Sequence, residues 1–586
     1  MGLLKRALVL IGDGLTAKGG PKKYTGTARK LISILAIGIT LYHVVTFTQP
    51  YDQFRHVMLH TGLILTLCYL TCGVSQKKSP KMAIVDYFLA TLPLVITVYL
   101  VINAETILKR ATMLPFSLSP WEFVIGIVLI LLLLESARRF MGLFLTLFAA
   151  AGLVYMLFGS ELGGVWGHYR FTYPQVIGGL VLSINGIFSA PIIVSSTYII
   201  LFVLFGAMVQ HSGAGEFFTN LAEALVGKSR GGPAKVAVLG SGFTGMISGS
   251  SVANVAITGS ITIPMMKKSG IKPYFAGAVE AAASTGGIIM PPVMGGIIFL
   301  MSELIEVPYI KICIAAAIPA CLYYLAVFVQ VHLYSVRNRI SPLDETRKKV
   351  SPWRVLKNGW QYGLPFVSLI GLLIYGYSPI WAALWSLPTV IAASWFHKET
   401  RMGIKHILMA FESAAMTMRL VMSACALCGI LMFVVFYTGV GSQMASVIAS
   451  FTREMLFPAL LISAVVCLIL GLPLSALAAY LLTVLIIIPT VVVLGVNPLA
   501  AHLFCIYFST ICQLTPPTGA TFFVAAGIAG SPPFRTGWTA TRLAFAAFIV
   551  PFFWIYKPAL LLMGSPSEIL QVVVCAVIAI LLVAMA

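Results

Sequence analysis

The sequence predicts an all-α polytopic membrane protein, and three observations carry that prediction. Only 10% of the 586 residues are charged while 59% are hydrophobic, with a mean hydropathy of +0.98; soluble domains carry about 25% charge. Nearly uncharged runs recur along the chain, among them "LISILAIGITLYHVV" (31–45), "FVIGIVLILLLL" (123–134) and "VVVCAVIAILLVAMA" (572–586). About 20 such residues cross a bilayer as a helix. The runs also lack the period-two alternation of a membrane barrel strand. Segmentation gives roughly fourteen to sixteen membrane segments.

The net charge of +20 is read as cytoplasmic loops, which collect Lys and Arg in membrane proteins, and not as a nucleic-acid surface. The first thirty residues carry Lys5, Arg6, Lys18, Lys22, Lys23, Arg29 and Lys30, which assigns the N-terminus to the cytoplasm. Later clusters fall on the same side: Lys77, Lys78 and Lys81; Arg138 and Arg139; Lys228, Arg230 and Lys235; Lys267 and Lys268. The longest runs over 337–357 and includes Arg347, Lys348 and Lys349. No cleavable signal peptide is expected in "MGLLKRALVLIGDG".

Segments 31–47, 57–73, 85–104 and 121–137 alternate out and in, giving a four-helix domain over 1–138. The larger domain, 139–586, is richer in Gly, Pro and intramembrane polar residues. Within it, "ISGSSVANVA" (247–256) lies between two basic clusters that both belong to the cytoplasm. A straight crossing would separate them. The stretch 234–265 is therefore expected to enter the membrane and turn back as a re-entrant hairpin, with "SGSS" at its tip. Non-helical backbone at that depth must be buried in protein or line a wet cavity. The alternative is a close helix-packing face of small residues.

An internal repeat supports the hairpin. "IPMMKKSGIKPYFAGAVEAAASTGGIIMPP" (263–292) and "IPTVVVLGVNPLAAHLFCIYFSTICQLTPP" (488–517) align without gaps at an offset of 225 residues. Pro264/Pro489, Gly270/Gly495, Pro273/Pro498, Ser284/Ser509, Thr285/Thr510, Pro291/Pro516 and Pro292/Pro517 coincide. "LGLPLSALAAY" (470–480) then occupies the place of the first tip, in a second hairpin over 457–491. Five crossings are expected between the copies, an odd number, so the second copy is inverted. Inverted repeats with paired broken helices are characteristic of secondary transporters.

Each copy breaks its helix just before a Pro-Pro pair, where proline removes a backbone donor. Freed carbonyls, the hydroxyls of Ser284, Thr285, Ser509, Thr510 and Thr515, and the Gln513 amide can complete an oxygen shell for a cation. Half-helix N-termini attract an anion.

These residues resemble the large membrane subunit of tripartite ATP-independent periplasmic (TRAP) transporters, with the closest likeness to the TAXI subclass, in which small and large membrane subunits are fused. The resemblance rests on "GSGFTGMISGSSVANVA" (240–256), "GAVEAAASTGGIIMPPVMG" (277–295), "GLPLSALAAY" (471–480), "QLTPPTGA" (513–520) and "SGAGEFFTNLAEALVGKSRGGPAKVAVLGSGFTG" (212–245). It implies an elevator mechanism and a bacterial inner-membrane location. It also implies a TAXI-type extracytoplasmic binding protein as partner and an organic anion substrate, a C4 or C5 dicarboxylate. No cofactor is expected; Na⁺ or H⁺ is the coupling ion. The expected oligomeric state is a monomer. Cation positions carried over are Ser248, Gly249, Ser250 and Ser251 with Ser284, Thr285, Gly286 and Gly287. On the second side they are Gly471 and Pro473 with Ser509, Thr510, Gln513, Thr515 and Thr518. Substrate candidates are Ser250, Ser251, Asn254, Thr285, Ser475 and Thr518. Two departures stand out: Val293 follows the first Pro-Pro where other subclasses often have Ser, and Glu280 lies four residues before Ser284.

Glu280 is the proton candidate, because intramembrane acids are functional by default; the plainer reading pairs it with Lys267 or Lys268. For Arg419 the expectation is an ion pair with Glu412 or a snorkelling position, ahead of the alternative that it faces a substrate carboxylate. Competing classes find little support. The nearest approach to a nucleotide loop is "GKS" (227–229), with Ala222 where glycine is required. The nine histidines are dispersed, and Cys425 and Cys428 sit in an apolar helix, which argues against an enzyme. A channel has no need of two inverted hairpins.

Overall fold

The computed structural model describes residues 20–22, 24, 26–74, 80–113, 118–342, 351–397, 400–451, 455–472 and 474–585. Lys5, Arg6, Lys18, Lys23, Lys77, Lys78, Arg347, Lys348, Lys349 and Pro473 lie outside them. The protein is mostly helical, at 82%. Among the described residues, ten helices are long and apolar enough to cross a membrane, and four apolar helices are shorter. The shorter ones arise where breaks and turns interrupt a would-be span.

Contacts divide the chain into two units. The first comprises Met1–Leu204, Phe411–Glu454 and Pro473–Thr490. Its helices start where the sequence supplies caps. Asp52 accepts the Phe54 and Arg55 amides at 2.9 and 3.1 Å before Gln53–Thr71, and Ser119 with Glu122 forms a capping box before Pro120–Met141. Several polar residues inside this unit are paired. Arg139, 1% exposed, bonds Asp86 and the Cys72 carbonyl, both at 2.7 Å, and Glu135 at 2.8 Å. Glu412 accepts from Arg29 and Ser33, at 2.8 and 2.7 Å. Arg419 instead donates to the Met416 carbonyl and Thr71 and lies over the Phe140 ring. The expected Arg419–Glu412 pair is not formed, because Glu412 already serves the first helix.

The second unit comprises Phe205–Ala410, Met455–Leu472 and Val491–Ala586. It holds the first helical hairpin, Gly232–Ser248 and Ser251–Lys268, whose arms pack together. The first broken helix follows: Pro273–Gly286, a tight turn Gly287–Ile289, then the Pro-Pro pair.

The repeat is visible in helix boundaries. Pro273–Gly286 recurs 225 residues later as Pro498–Ile511, and Ser251–Lys268 as Ala476–Val493, end for end. Gly232–Ser248 has its counterpart in Leu456–Gly471, within two residues. Both Pro–Pro peptides, Pro291–Pro292 and Pro516–Pro517, are cis. Gly232–Ser248 and Ser251–Lys268 are thus two separate helices, as are Leu456–Gly471 and Ala476–Val493.

Candidate functional site

The site is built at the first hairpin. Ser248 ends one arm, and its hydroxyl reaches the Ser250 carbonyl at 3.3 Å. Gly249 makes the turn at φ +60°, a region that costs a side chain strain. Ser250 caps the returning helix, accepting the Ala253 amide at 3.4 Å. The hairpin closes on itself through the Asn254 amide, which donates to the Ser241 carbonyl at 2.7 Å.

The broken helix sits hard against this hairpin. A Cβ on Gly245 would lie 2.8 Å from the Gly287 Cα, and one on Gly287 would lie 2.5 Å from the Gly245 Cα. Small residues here permit backbone to touch backbone. The last carbonyls of the broken helix are held from a third element: Tyr323 donates to Ala282 and Tyr324 to Ala283, both at 2.7 Å. Gly286 leaves room for the Tyr323 ring.

Glu280 lies at the centre of this packing, fully buried. It does not meet Lys267 or Lys268, as the plainer reading expected; Lys267 donates to the Ala529 carbonyl at 2.8 Å. Four hydroxyls meet its carboxyl group instead. Ser241, Thr258 and Ser284 reach Oε1 at 2.7, 2.5 and 3.1 Å, and Thr262 reaches Oε2 at 2.5 Å. The hydroxyls come from both hairpin arms and from the broken helix itself.

Thr285 is turned to the Ala281 carbonyl at 2.8 Å. Ser251 bonds Thr521 at 2.7 Å, which joins the first hairpin to the segment after the second Pro-Pro pair. In the second broken helix, Ser509 and Thr510 are buried, and their hydroxyls have no partner among the described residues. The same holds for the Asn254 amide oxygen. Thr515 bonds the Ile511 carbonyl at 2.9 Å, and Thr518 donates to the Leu472 carbonyl. Gln513 is buried, and its carbonyl accepts the Thr521 amide at 3.1 Å. Gly471 ends its helix, and Ser475 caps Ala476–Val493 through the Ala478 amide at 3.4 Å.

Sequence reading missed Ser241, Thr258, Thr262, Thr521 and the two tyrosines. Part of the signal was present: Asn254, Thr258 and Thr262 recur every fourth residue, one polar stripe on an apolar helix.

Residues 127–569 match the family model described as the tripartite ATP-independent periplasmic transporter, DctM component. The chain belongs to the DctM family. The isethionate TRAP transporter permease protein DctMQ of Oleidesulfovibrio alaskensis is 29% identical over 336 residues. That match takes in 56% of this chain and 52% of DctMQ, so this chain spans about half the length of that relative. The C4-dicarboxylate TRAP transporter large permease protein DctM of Pseudomonas aeruginosa is 27% identical over 337 residues, 56% of this chain and 77% of its own. The sialic acid TRAP transporter large permease protein SiaM of Vibrio cholerae is 25% identical over 342 residues, 57% and 77% respectively. These DctM relatives are transport proteins rather than enzymes. Among solved structures, Neisseria gonorrhoeae MtrF overlaps 75% of this chain and 96% of its own at a TM-score of 0.49 and 14% identity.

Proposed function

We propose that this DctM chain is the membrane component of a binding-protein-dependent secondary transporter, with fused small (1–138) and large (139–586) parts, of the TAXI subclass. It imports a small organic anion, a C4 or C5 dicarboxylate, by an elevator motion in which two re-entrant hairpins carry the solute. The observation that carries this reading is the duplicated helix–break–helix unit, in register at 225 residues, with buried hydroxyls beside both breaks. Broken helices at membrane depth offer backbone groups and hydroxyls to ions and substrate. Relatives named for isethionate, C4-dicarboxylate and sialic acid support an organic acid as cargo. The start of the family match at residue 127 supports a boundary near 138. The partner is an extracytoplasmic binding protein of the TAXI type, and the monomer sits in the inner membrane.

Two coupling ions are weighed. Sodium would use the unpartnered hydroxyls of Ser509 and Thr510 and the turn at 248–251. A second reading, proton coupling, is favoured by Glu280. It is the only acid on the helices Gly232–Ser248, Ser251–Lys268, Pro273–Gly286, Tyr309–Arg337, Ala520–Ala529 and Pro533–Leu543, which also carry Lys235, Lys267, Lys268, Lys311, Arg337, Arg535 and Arg542. Its shell serves both protonation states. As a carboxylate it accepts from the four hydroxyls. Once protonated it donates to one of them, which then turns its own proton to a backbone carbonyl. Thr258 has the Asn254 carbonyl at 2.8 Å for this, and Thr262 has the Thr258 carbonyl at 3.0 Å.

Uptake by proteoliposomes holding the chain, supplied with its binding protein and labelled dicarboxylates, tests the reading. An imposed Na⁺ or H⁺ gradient should drive accumulation without ATP. Equal equilibration under either gradient would leave only a channel.

A further inference from the structure

A cavity of about 980 Å³ opens in the second unit, lined by none of the residues of the candidate site. One wall is polar by design of the helix Ala214–Val226. Glu216, Asn220 and Glu223 follow at i, i+4 and i+7 and all face the cavity. Lys228, Arg401 and His406 line other parts of it. Both signs of charge therefore border one space.

Gln361 also lines the cavity. It is 1% exposed, and neither its amide nitrogen nor its oxygen finds a partner among the described residues. A buried amide left with both a donor and an acceptor open is costly unless something fills the site. Its neighbour Tyr362 is fixed, donating to the Ser212 carbonyl at 3.3 Å and stacking on Phe217 at 5.0 Å.

The rim has a different character. On the helix Pro352–Gly359 and the turn that follows, Trp353, Leu356 and Trp360 recur at i, i+3 and i+7, all exposed, while Val355, Asn358 and Gly359 line the cavity. Exposed Trp395 and Phe396 extend this edge, and the Phe396 ring meets Trp360 at 5.1 Å. A helix with a bare aromatic face and basic residues beside it (here Arg354 and Lys357) lies in the membrane interface, where tryptophan concentrates.

We propose that this cavity binds a phosphate–amine zwitterion, delivered as the headgroup of an aminophospholipid. Lys228 and the planar Arg401 guanidinium take the phosphate. The acidic wall with Glu216 takes the ammonium. The Gln361 amide bonds the phosphodiester and amine together, using its acceptor and its donor. The acyl chains leave over the Trp353–Trp360 edge.

The test is native mass spectrometry and thermal unfolding of the whole, delipidated chain in detergent. The arms add phosphatidylethanolamine, phosphatidylcholine, phosphatidylglycerol or free phosphoethanolamine. Phosphatidylethanolamine should be retained and should raise the midpoint. Glu216→Gln, an exposed and isosteric change, and Arg401→Ala should each weaken that retention about tenfold, as expected for losing one charged hydrogen bond. Gln361→Leu should do the same. Free phosphoethanolamine binding as tightly as the lipid would keep the headgroup chemistry and overturn the lipid as its source. Equal retention of phosphatidylcholine or phosphatidylglycerol, or retention untouched by Glu216→Gln and Arg401→Ala, would overturn the site.

Discussion

Glu280 shows how much one side chain decides. Its helix carries no other charge, and the corresponding position in the second copy is Cys505. The two copies therefore differ in charge at the matched position, which leaves one of the two breaks able to take a proton at a carboxylate. Glu280→Gln keeps the volume and the hydrogen-bonding shell. Uptake driven by a pH gradient should be lost in that variant while its unfolding midpoint in detergent stays close to the parent's. Undiminished pH-driven uptake would reject the proton role. Gly245 makes a second demand at the level of a single atom. Gly245→Ala places a methyl against the Gly287 backbone, and overpacking of this kind costs about 1–3 kcal/mol. The variant should unfold at a lower temperature, and a wild-type midpoint would show that the hairpin and the broken helix can move apart freely.

The broken helices hold their geometry by borrowed partners. Pro273–Gly286 ends in four carbonyls that the helix leaves without amide donors; Tyr324 of Tyr309–Arg337 bonds one of them, Ala283, and Tyr323 bonds Ala282 just before them. Tyr324→Phe removes one neutral hydrogen bond and leaves a buried carbonyl unpaired, a loss of about 1–3 kcal/mol. The thermal midpoint should drop, and Tyr323→Phe combined with it should cost more. If neither change alters stability, the carbonyls have other partners. Tyr324→Phe should also alter the ion dependence of uptake if those carbonyls contribute to a cation shell. The pairing of tyrosine with carbonyl was hidden in the sequence, since the partners are 41 residues apart and no spacing rule links them. The breaks themselves were legible, because Pro-Pro, a Ser-Thr pair and the glycine Gly270/Gly495 recur at one offset.

At the scale of the molecule, one buried charge cluster ties helices of the first unit together. In the first unit the buried Arg139–Asp86 contact at 2.7 Å joins Pro120–Met141 to Pro80–Ile102, and Lys22 adds to Asp86 at 3.0 Å. Removing one partner of a buried pair costs about 3–5 kcal/mol when the other charge is left uncompensated; here Glu135, at 2.8 Å from Arg139, keeps part of that compensation, so the loss should fall below that range. Asp86→Asn should therefore lower the unfolding midpoint of the full chain in detergent, and Asp86→Asn with Glu135→Gln should lower it much further. No added loss in the double variant would mean that Glu135 does not share the Arg139 charge.

Sequence alone determined the membrane class, the helical content, the duplication and the places where helices stop. These follow from hydropathy, period and the fixed backbone chemistry of proline and glycine, all of which are local. It placed Ser248–Ser251, Ser284 and Ser509 at breaks for the same reason. Only the tertiary structure decided that Glu280 meets Ser241, Thr258, Thr262 and Ser284 in place of a lysine, that Arg419 does not meet Glu412, and that Ser251 reaches Thr521 across 270 residues. Those choices depend on which helix faces pack together. In an apolar chain many faces are equivalent by composition, and only the packed fold selects among them.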